Sequence, residues 1–307
     1  MPHPPHRVSA GTTALVLTAL GALLAGCSGS GHPAAAPKPA AAAATLADIP
    51  ATPSADVPSA APTDLSALRL PIEQYVLTPA DNALLNQASW VLAGDCIQHH
   101  GVTFRTPTAL THQRSGSEVP RRYGPADPAA AAQYGYHKAP VPDQDKVPTD
   151  DMASLSQADR VTVHGCLADA QKQLSGDAAY GSSRIGEQIN SRSYVKATAD
   201  DRVTAAFAAW SGCMKTAGYG YASPIDAYND LHWGASPTAD QQEIATAQAD
   251  ITCKRQTNLI GIWYAVDAAY QQQQIQAHQA ELDRDRAAEQ RQLDEARKAL
   301  TRSPGSN

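Results

Sequence analysis

The sequence predicts an all-α fold: a disulfide-stabilised helical domain of two related helical units with a long C-terminal helix. Three observations predict it. Apolar residues recur three and four apart in several stretches, the period that places them on one face of a helix; Val203, Phe207, Trp210, Met214 and Ala217 are the clearest case. Thr238 to Arg302 contains no Pro and a single Gly, at 261. Cys96, Cys166, Cys213 and Cys253 are the four cysteines beyond the first 27 residues, and an even number in an oxidising compartment pairs as disulfides.

The chain opens with Arg7 and an apolar run from Ala14 to Leu24, about the length of a signal-peptide core and too short to span a bilayer comfortably. Leu24-Ala25-Gly26-Cys27 closes that run. The quartet resembles the lipobox of bacterial lipoproteins, in which small residues enter a peptidase groove and the Cys thiol is the nucleophile for diacylglyceryl transfer. The resemblance implies a lipoprotein signal peptide over residues 1–26 and acylation of Cys27, with palmitate-like chains. It also implies residence on the extracytoplasmic face of the cell membrane. Two or more acyl chains, each methylene contributing about 0.8 kcal/mol when buried, make such an anchor stable. Residues 27–63 are rich in Ala, Pro, Gly and Ser. That composition does not bury enough surface to offset its ordering entropy, so a disordered tether is expected, reaching on the order of 100 Å if stretched.

Residues 64–270 carry the helical domain. Thr78 as N-cap, Pro79 at the first helical position and Asp81 in the first turn begin a helix that runs through Leu84, Leu85, Ala88, Val91 and Leu92 to Gly101. From Thr103 to Pro148, Pro, Gly and basic pairs predict loop, with one short capped helix over Asp127 to Gly135. A helical pattern returns over Leu155 to Leu174, and Asp200 and Asp201 open the best-formed amphipathic helix, ending at Gly218. Thr238 to Arg302 then reads as one helix approaching 95 Å in length. Ile244, Ile251, Leu259, Ile262, Trp263, Val266 and Tyr270 supply an apolar face in its first half, which thins to Ile275, Leu282, Leu293 and Leu300 among Gln, Glu, Asp and Arg. Residues 271–307 are therefore expected to be a solvated helical extension, either a projecting arm or a frayed tail. Polar Gln279, Arg286 and Glu289 at intervening positions speak against a strong coiled coil.

One short grammar occurs twice: Cys96-Ile97-Gln-His-His-Gly101-Val102-Thr-Phe104 and Cys213-Met214-Lys-Thr-Ala-Gly218-Tyr219-Gly-Tyr221, each behind a Trp-containing helix. In both, a Cys in the last turn precedes a Gly at the C-cap and an apolar residue that folds back on the helix. The echo suggests a duplicated unit in which each of these cysteines bridges to a later helix. Four cysteines allow three connectivities, and the echo favours Cys96–Cys166 with Cys213–Cys253.

Arg122-Tyr123-Gly124 with Asp127, Tyr134-Gly135-Tyr136-His137, Ala208-Ala209-Trp210-Ser211-Gly212-Cys213-Met214 with Gly218-Tyr219, and Ala249-Asp250-Ile251-Thr252-Cys253 resemble a group of uncharacterised actinobacterial proteins, secreted or lipid-anchored and helical. The likeness covers most of residues 78–270. It implies the fold and the envelope setting, and no catalytic residues.

Charge and motifs narrow the function. Against 24 Lys and Arg stand 30 Asp and Glu, a formal net charge of −6, which supplies no electrostatic footprint for nucleic acid. The cysteine spacings fit no zinc pattern, and G-x-S-x-G and H-E-x-x-H do not occur. No catalytic residue, metal site or cofactor is therefore expected. His99, His100, His112 and His137, with Asp143, Asp145, Asp150 and Asp151, are the residues that would serve an envelope hydrolase or metal-dependent enzyme built on the 103–151 loop. The leading expectation is a non-catalytic cell-envelope lipoprotein that acts as a binding or accessory module for an envelope protein or cell-wall polymer. The late aromatic residues Tyr219, Tyr221, Tyr228, Trp233, Trp263, Tyr264 and Tyr270 could line its groove, with Tyr219, Tyr221, Trp233 and Trp263 as the first candidates.

Overall fold

The computed structural model describes residues 46, 51–105, 119–140 and 151–302. Every regular element among them is helical: α1 (Pro79–His99), α2 (Val119–Arg122), α3 (Pro128–Tyr134), α4 (Gln157–Ser175), α5 (Arg184–Thr198), α6 (Asp201–Thr216), α7 (Pro224–Tyr228), α8 (Gln241–Gln256) and α9 (Leu259–Arg302), with short 3-10 turns between some of them. The helix starts follow local chemistry. Thr78 Oγ1 accepts the Asp81 N–H at 3.1 Å while Asp81 Oδ2 accepts the Thr78 N–H at 3.1 Å, a reciprocal capping box for α1. Ser156, Asp127 and Asp200 cap α4, α3 and α6 in the same one-directional way. No described helix is long and apolar enough to cross a membrane.

The repeated grammar produces repeated geometry. At the end of α1, His100 N–H donates to Cys96 O, Gly101 N–H to Gln98 O and Val102 N–H to Ile97 O. At the end of α6, Ala217 N–H donates to Cys213 O, Gly218 N–H to Lys215 O and Tyr219 N–H to Met214 O. Gly101 and Gly218 take the left-handed backbone these closures require, at φ +71° and +93°. Each cysteine then bonds to the next long helix packed beside it: Cys96 to Cys166 of α4 with Cα atoms 5.7 Å apart, and Cys213 to Cys253 of α8 at 5.6 Å. The two helix-disulfide-helix units expected from the echo are present.

Helix α9 joins these units. Its first half lies in the main core, where Leu259, Trp263, Val266 and Ile275 meet Ile185, Ile189, Val203, Trp210 and Met214 of α5 and α6. Its second half packs on the α1–α4 unit, where Leu293, Ala296 and Ala299 meet Leu77, Leu85, Ala88 and Leu174. The backbone leaves helical geometry once along the way, at His278 (φ −117°, ψ 17°).

Two expectations are corrected here. Residues 271–302 are not a solvated extension: Gln271, Gln274, Ile275, Leu282, Glu289, Gln292 and Leu293 are buried. Their polar side chains look solvent-facing in the sequence because hydrophobic period is the usual mark of a buried face. In the structure they hold loop backbone instead. Ile72 N–H donates to Gln271 Oε1 at 3.1 Å, Gly181 N–H to Gln292 Oε1 at 3.0 Å, and Gln292 Nε2 to Ala179 O at 2.9 Å. The second correction concerns length. Asn258 adopts φ +50° and breaks the expected single helix into α8 and α9; its short polar side chain tolerates this left-handed conformation.

Helix α5 has no counterpart among the sequence expectations. Its apolar residues are sparse, yet Ile185, Ile189 and Ala197 are all buried on one face. Ser183 caps it, and the same residue ties it to α9: Ser183 N–H donates to Glu289 Oε1 and Ser183 Oγ to Asp285 Oδ2, both at 2.6 Å. Burial, reinforced by the negative charges of Asp285 and Glu187, pushes the Glu289 carboxyl up to about 7, against the opposing Ser183 hydrogen bond. A raised folded pKa means stability that is fully present below the ordinary value of 4.5 and lost as pH rises through about 7. Glu289→Gln keeps the acceptor without the charge. It is expected to unfold with the wild type at pH 4 and to gain on the order of 2 kcal/mol at pH 8, measured by urea denaturation at both pH values.

The described part of the predicted tether lies against the domain. Leu46 is buried, and side chains of the domain donate to carbonyls along this extended stretch. These are Arg192 Nη1 to Leu46 O at 2.9 Å, Gln273 Nε2 to Ala51 O at 3.1 Å and Asn258 Nδ2 to Pro58 O at 2.7 Å. Extended proline-rich chain forms few internal hydrogen bonds, Val57 N–H to Ala55 O at 3.1 Å being one here, so other carbonyls along it are open to side chains of the domain. A cavity of about 840 Å³ remains between residues 53–62 and α9. Cys27 and most of residues 27–50 lie outside the described residues.

Candidate functional site: paired cavities around Arg121

The segment 119–137 is a wedge driven among the long helices. Val119, Tyr123, Ala131 and Tyr136 bury its apolar side. Its polar groups are received by charges on α8 and α9. Arg122 Nε donates to Asp267 Oδ2 at 2.6 Å, Arg122 Nη1 to Asn190 Oδ1 at 2.8 Å, and Arg122 Nη2 to Asn190 O at 2.7 Å. Tyr123 OH donates to the same Asp267 Oδ2 at 3.0 Å. Lys254 Nζ reaches Asp250 Oδ2 at 2.9 Å and Pro125 O at 3.1 Å, and Trp210 Nε1 donates to Asp250 Oδ1 at 2.9 Å. Burial pushes the Asp250 carboxyl up, and the Lys254 ammonium opposes that shift.

Glu243 closes the far end. Its Oε1 accepts Tyr136 N–H at 2.7 Å and lies 2.8 Å from His137 Nδ1. Gly135 makes this approach possible: at φ +54° a Cβ would fall 2.6 Å from the Glu243 carboxylate. The other ring nitrogen of His137, Nε2, donates to Ser236 O at 3.0 Å. An imidazolium donates from both nitrogens, so the Glu243 hydrogen bond raises the His137 pKa above its ordinary 6.5. The stability from this pair is therefore fully present below about pH 6.5 and lost as pH rises through the raised folded value. In thermal melts, His137→Gln is expected to cost most below pH 6.5 and progressively less toward pH 9.

Two cavities share Arg121 as a wall. The larger, about 490 Å³, is lined by Thr63, Ser66, Asp127, His137 and Arg255 among others. Asp127 is committed to capping α3, and Arg121 itself donates to Tyr136 O at 3.1 Å. The smaller, about 160 Å³, is lined by Arg122, Tyr194, Tyr228, Asn229 and Trp263. Here the Arg122 guanidinium lies over the Tyr194 ring at 5.0 Å, and the Tyr194 and Trp263 rings stack at 5.3 Å.

The four aromatic residues expected to form one groove are distributed differently. Trp263 is buried among Tyr123, Tyr194 and Phe207, with centroid separations of 5.1, 5.3 and 4.8 Å, and lines the smaller cavity. Trp233 stacks on Tyr136 at 5.6 Å and donates its Nε1–H to Ala227 O at 2.7 Å. Tyr221 OH donates to Asp230 at 2.8 Å, and Tyr219 closes the end of α6. Of the lining residues, Tyr228 and Trp263 belong to the late aromatic group and Arg122 to the Arg122-Tyr123-Gly124 stretch that the sequence singled out, whereas Tyr194 carries no local signature.

Of the residues considered for metal or acid–base chemistry, His99 is exposed and bonded to Asp95 O, and His112, Asp143, Asp145 and Asp150 lie outside the described residues. Cys96, His100 and Cys166 come together within 4.8 Å, but the two sulfurs are bonded to each other and are not available as thiolate ligands. No protein-family model matches this chain, and neither a curated protein nor a solved structure matches it.

Proposed function

We propose that the protein is an extracytoplasmic lipoprotein, held at the cell membrane through Cys27, whose helical domain binds an envelope protein or cell-wall polymer as an accessory module. Kinship with the helical, lipid-anchored actinobacterial proteins is part of the same proposal. The observation that carries it is the pair of cavities meeting at Arg121, the smaller walled by the rings of Tyr194, Tyr228 and Trp263 and the larger by polar and charged groups that include Ser66, Asp127, His137 and Arg255. Such concave surfaces with a few fixed polar groups suit recognition. Commitment of both His137 nitrogens argues against that residue as general base or metal ligand, since each role needs a free lone pair. The lipobox resemblance supports the address, and the acidic balance supports a partner other than nucleic acid.

Two measurements test the reading. Full-length wild type is expected in the membrane fraction with acyl chains on Cys27, and Cys27→Ser is expected to lose both the acyl chains and stable membrane retention. Full-length protein in detergent is expected to co-sediment saturably with isolated cell walls, or to crosslink in living cells to one defined envelope protein. Absence of acylation removes the address, and absence of both kinds of association removes the module.

A further inference from the structure

We propose that Cys96–Cys166 is a redox-active disulfide that oxidises the dithiol of a partner protein with the help of His100, while Cys213–Cys253 is structural. The two bonds form a matched pair. Each joins the last turn of a helix, α1 or α6, to a long helix packed beside it, with Cα atoms 5.7 and 5.6 Å apart. In each the first cysteine, Cys96 or Cys213, is partly exposed, and its partner is buried, Cys166 at 3% and Cys253 at 2%. The units differ at the C-cap, four residues after the first cysteine. His100 stands there in the first unit, at φ −82° and ψ 3°, and Ala217 in the second, at φ −80° and ψ −1°. The backbone at the two caps is thus nearly the same, and in the first it carries an imidazole. A ring nitrogen of His100 and the two sulfurs lie within 4.8 Å of one another. Among the described residues no His, Asp or Glu completes such a group with Cys213 and Cys253; there Gln256 Oε1 lies 3.2 Å from Cys213 Sγ.

Accessibility places the attack. A thiolate of the partner's dithiol reaches Cys96 Sγ, forms a mixed disulfide there and expels the Cys166 sulfur with the electron pair of the old bond. The partner's second thiol, losing its proton, then displaces Cys96 Sγ. The partner leaves as a disulfide, and its two electrons and two protons pass to Cys96 and Cys166, which end as thiols. Departure of Cys166 is the difficult step, because burial beside Ala93, Ile97 and Val163 disfavours a thiolate. The His100 imidazole offsets that cost, pairing with the thiolate when protonated and donating its N–H when neutral. A stabilised leaving thiolate speeds exchange, and a stabilised reduced form makes the pair the stronger oxidant. Cys253 is buried as deeply, but its bond has an amide oxygen beside it whose lone pairs oppose thiolate charge. Packing holds the first unit when its bond opens, since Ala93, Ile97, Val163 and Ala170 still join α1 to α4, and Leu85, Ala88 and Leu174 still meet α9.

The test equilibrates full-length, detergent-solubilised protein with mixtures of reduced and oxidised dithiothreitol at about pH 7.5, blocks the thiols by alkylation, and reads each cysteine from its own peptide by mass spectrometry. Cys96–Cys166 is expected to be half reduced at a ratio of reduced to oxidised dithiothreitol about tenfold lower than Cys213–Cys253, a gap of about 30 mV for a two-electron couple. His100→Gln is expected to close that gap by moving the first bond alone. Ala217→His is expected to lower the ratio for the second bond by a similar factor. Both positions are exposed, so thermal melts of the oxidised variants are expected at the wild-type midpoint. Two bonds that open together in the wild type, a first bond unmoved by His100→Gln, or a second bond unmoved by Ala217→His each overturns the proposal. The readout involves neither acylation of Cys27 nor association with cell walls, so this proposal and the accessory-module reading fail separately.

Discussion

Ending the chain at Tyr270 is expected to abolish cooperative folding. The truncation removes Ile275, Leu282 and Leu293, whose side chains are buried against α1, α4 and the main core. Creating a cavity at a single buried Leu costs about 2–5 kcal/mol, and three such losses together reach the whole stability of an ordinary domain, about 5–15 kcal/mol. The truncation also strips acceptors from buried or half-buried backbone donors, since Ile72, Gly181 and Ser183 donate to Gln271, Gln292 and Glu289. Each orphaned N–H adds a desolvation penalty of about 1–3 kcal/mol. Circular dichroism melts of residues 28–270 beside residues 28–307 decide the matter. A sharp transition at the wild-type midpoint in the shorter chain would show residues 271–302 to be the appended arm that their composition suggests.

The second large effect is at Asp267. This carboxylate is fully buried and accepts from Arg122, from Tyr123 OH and from Gln271 Nε2. Asp267→Asn removes its charge and leaves the Arg122 guanidinium buried and uncompensated, with an expected loss of about 3–5 kcal/mol. Replacing both partners by apolar residues, Arg122→Met with Asp267→Leu, is expected to recover much of that loss, because the desolvation penalty of the pair disappears with it. Urea denaturation of Arg122→Met, Asp267→Leu and the double variant reads the coupling directly. Additive losses would mean that the pair contributes nothing beyond its separate contacts.

Local chemistry was the legible part of this fold. Thr78-Pro79-x-Asp81, Asp127-Pro128 and Asp200-Asp201 act through hydrogen bonds spanning three residues, so each reads directly as the helix start it becomes. The Cys-to-Gly closures at Cys96–Gly101 and Cys213–Gly218 are equally local, and their recurrence pointed to the disulfide pairing. Helix α5 was hidden because burial of Ile185, Ile189 and Ala197 depends on α9 lying beside them, not on a strong stripe of its own. Around the candidate site, Arg122-Tyr123-Gly124 stood out in the sequence, while its receivers lie far away in the chain: Asp267 is 145 residues from Arg122 and Glu243 is 106 from His137. Trp263 was singled out for being aromatic; nothing in its neighbours indicated that its N–H would be buried without an acceptor among the described residues.

The sequence alone therefore determined the helical class, the caps and the two disulfide units, because propensity, capping and the C-terminal glycine turn act within one or two helical turns. It also carries the lipobox resemblance on which the proposed address rests. Only the tertiary structure decided that α9 is the spine joining both units, and that the carbonyls of the proline-rich segment are held by the domain. The physical reason is shared. A buried Gln or Glu with a backbone partner and a solvated one look identical in sequence, and the partner that distinguishes them is supplied by a loop about a hundred or two hundred residues away.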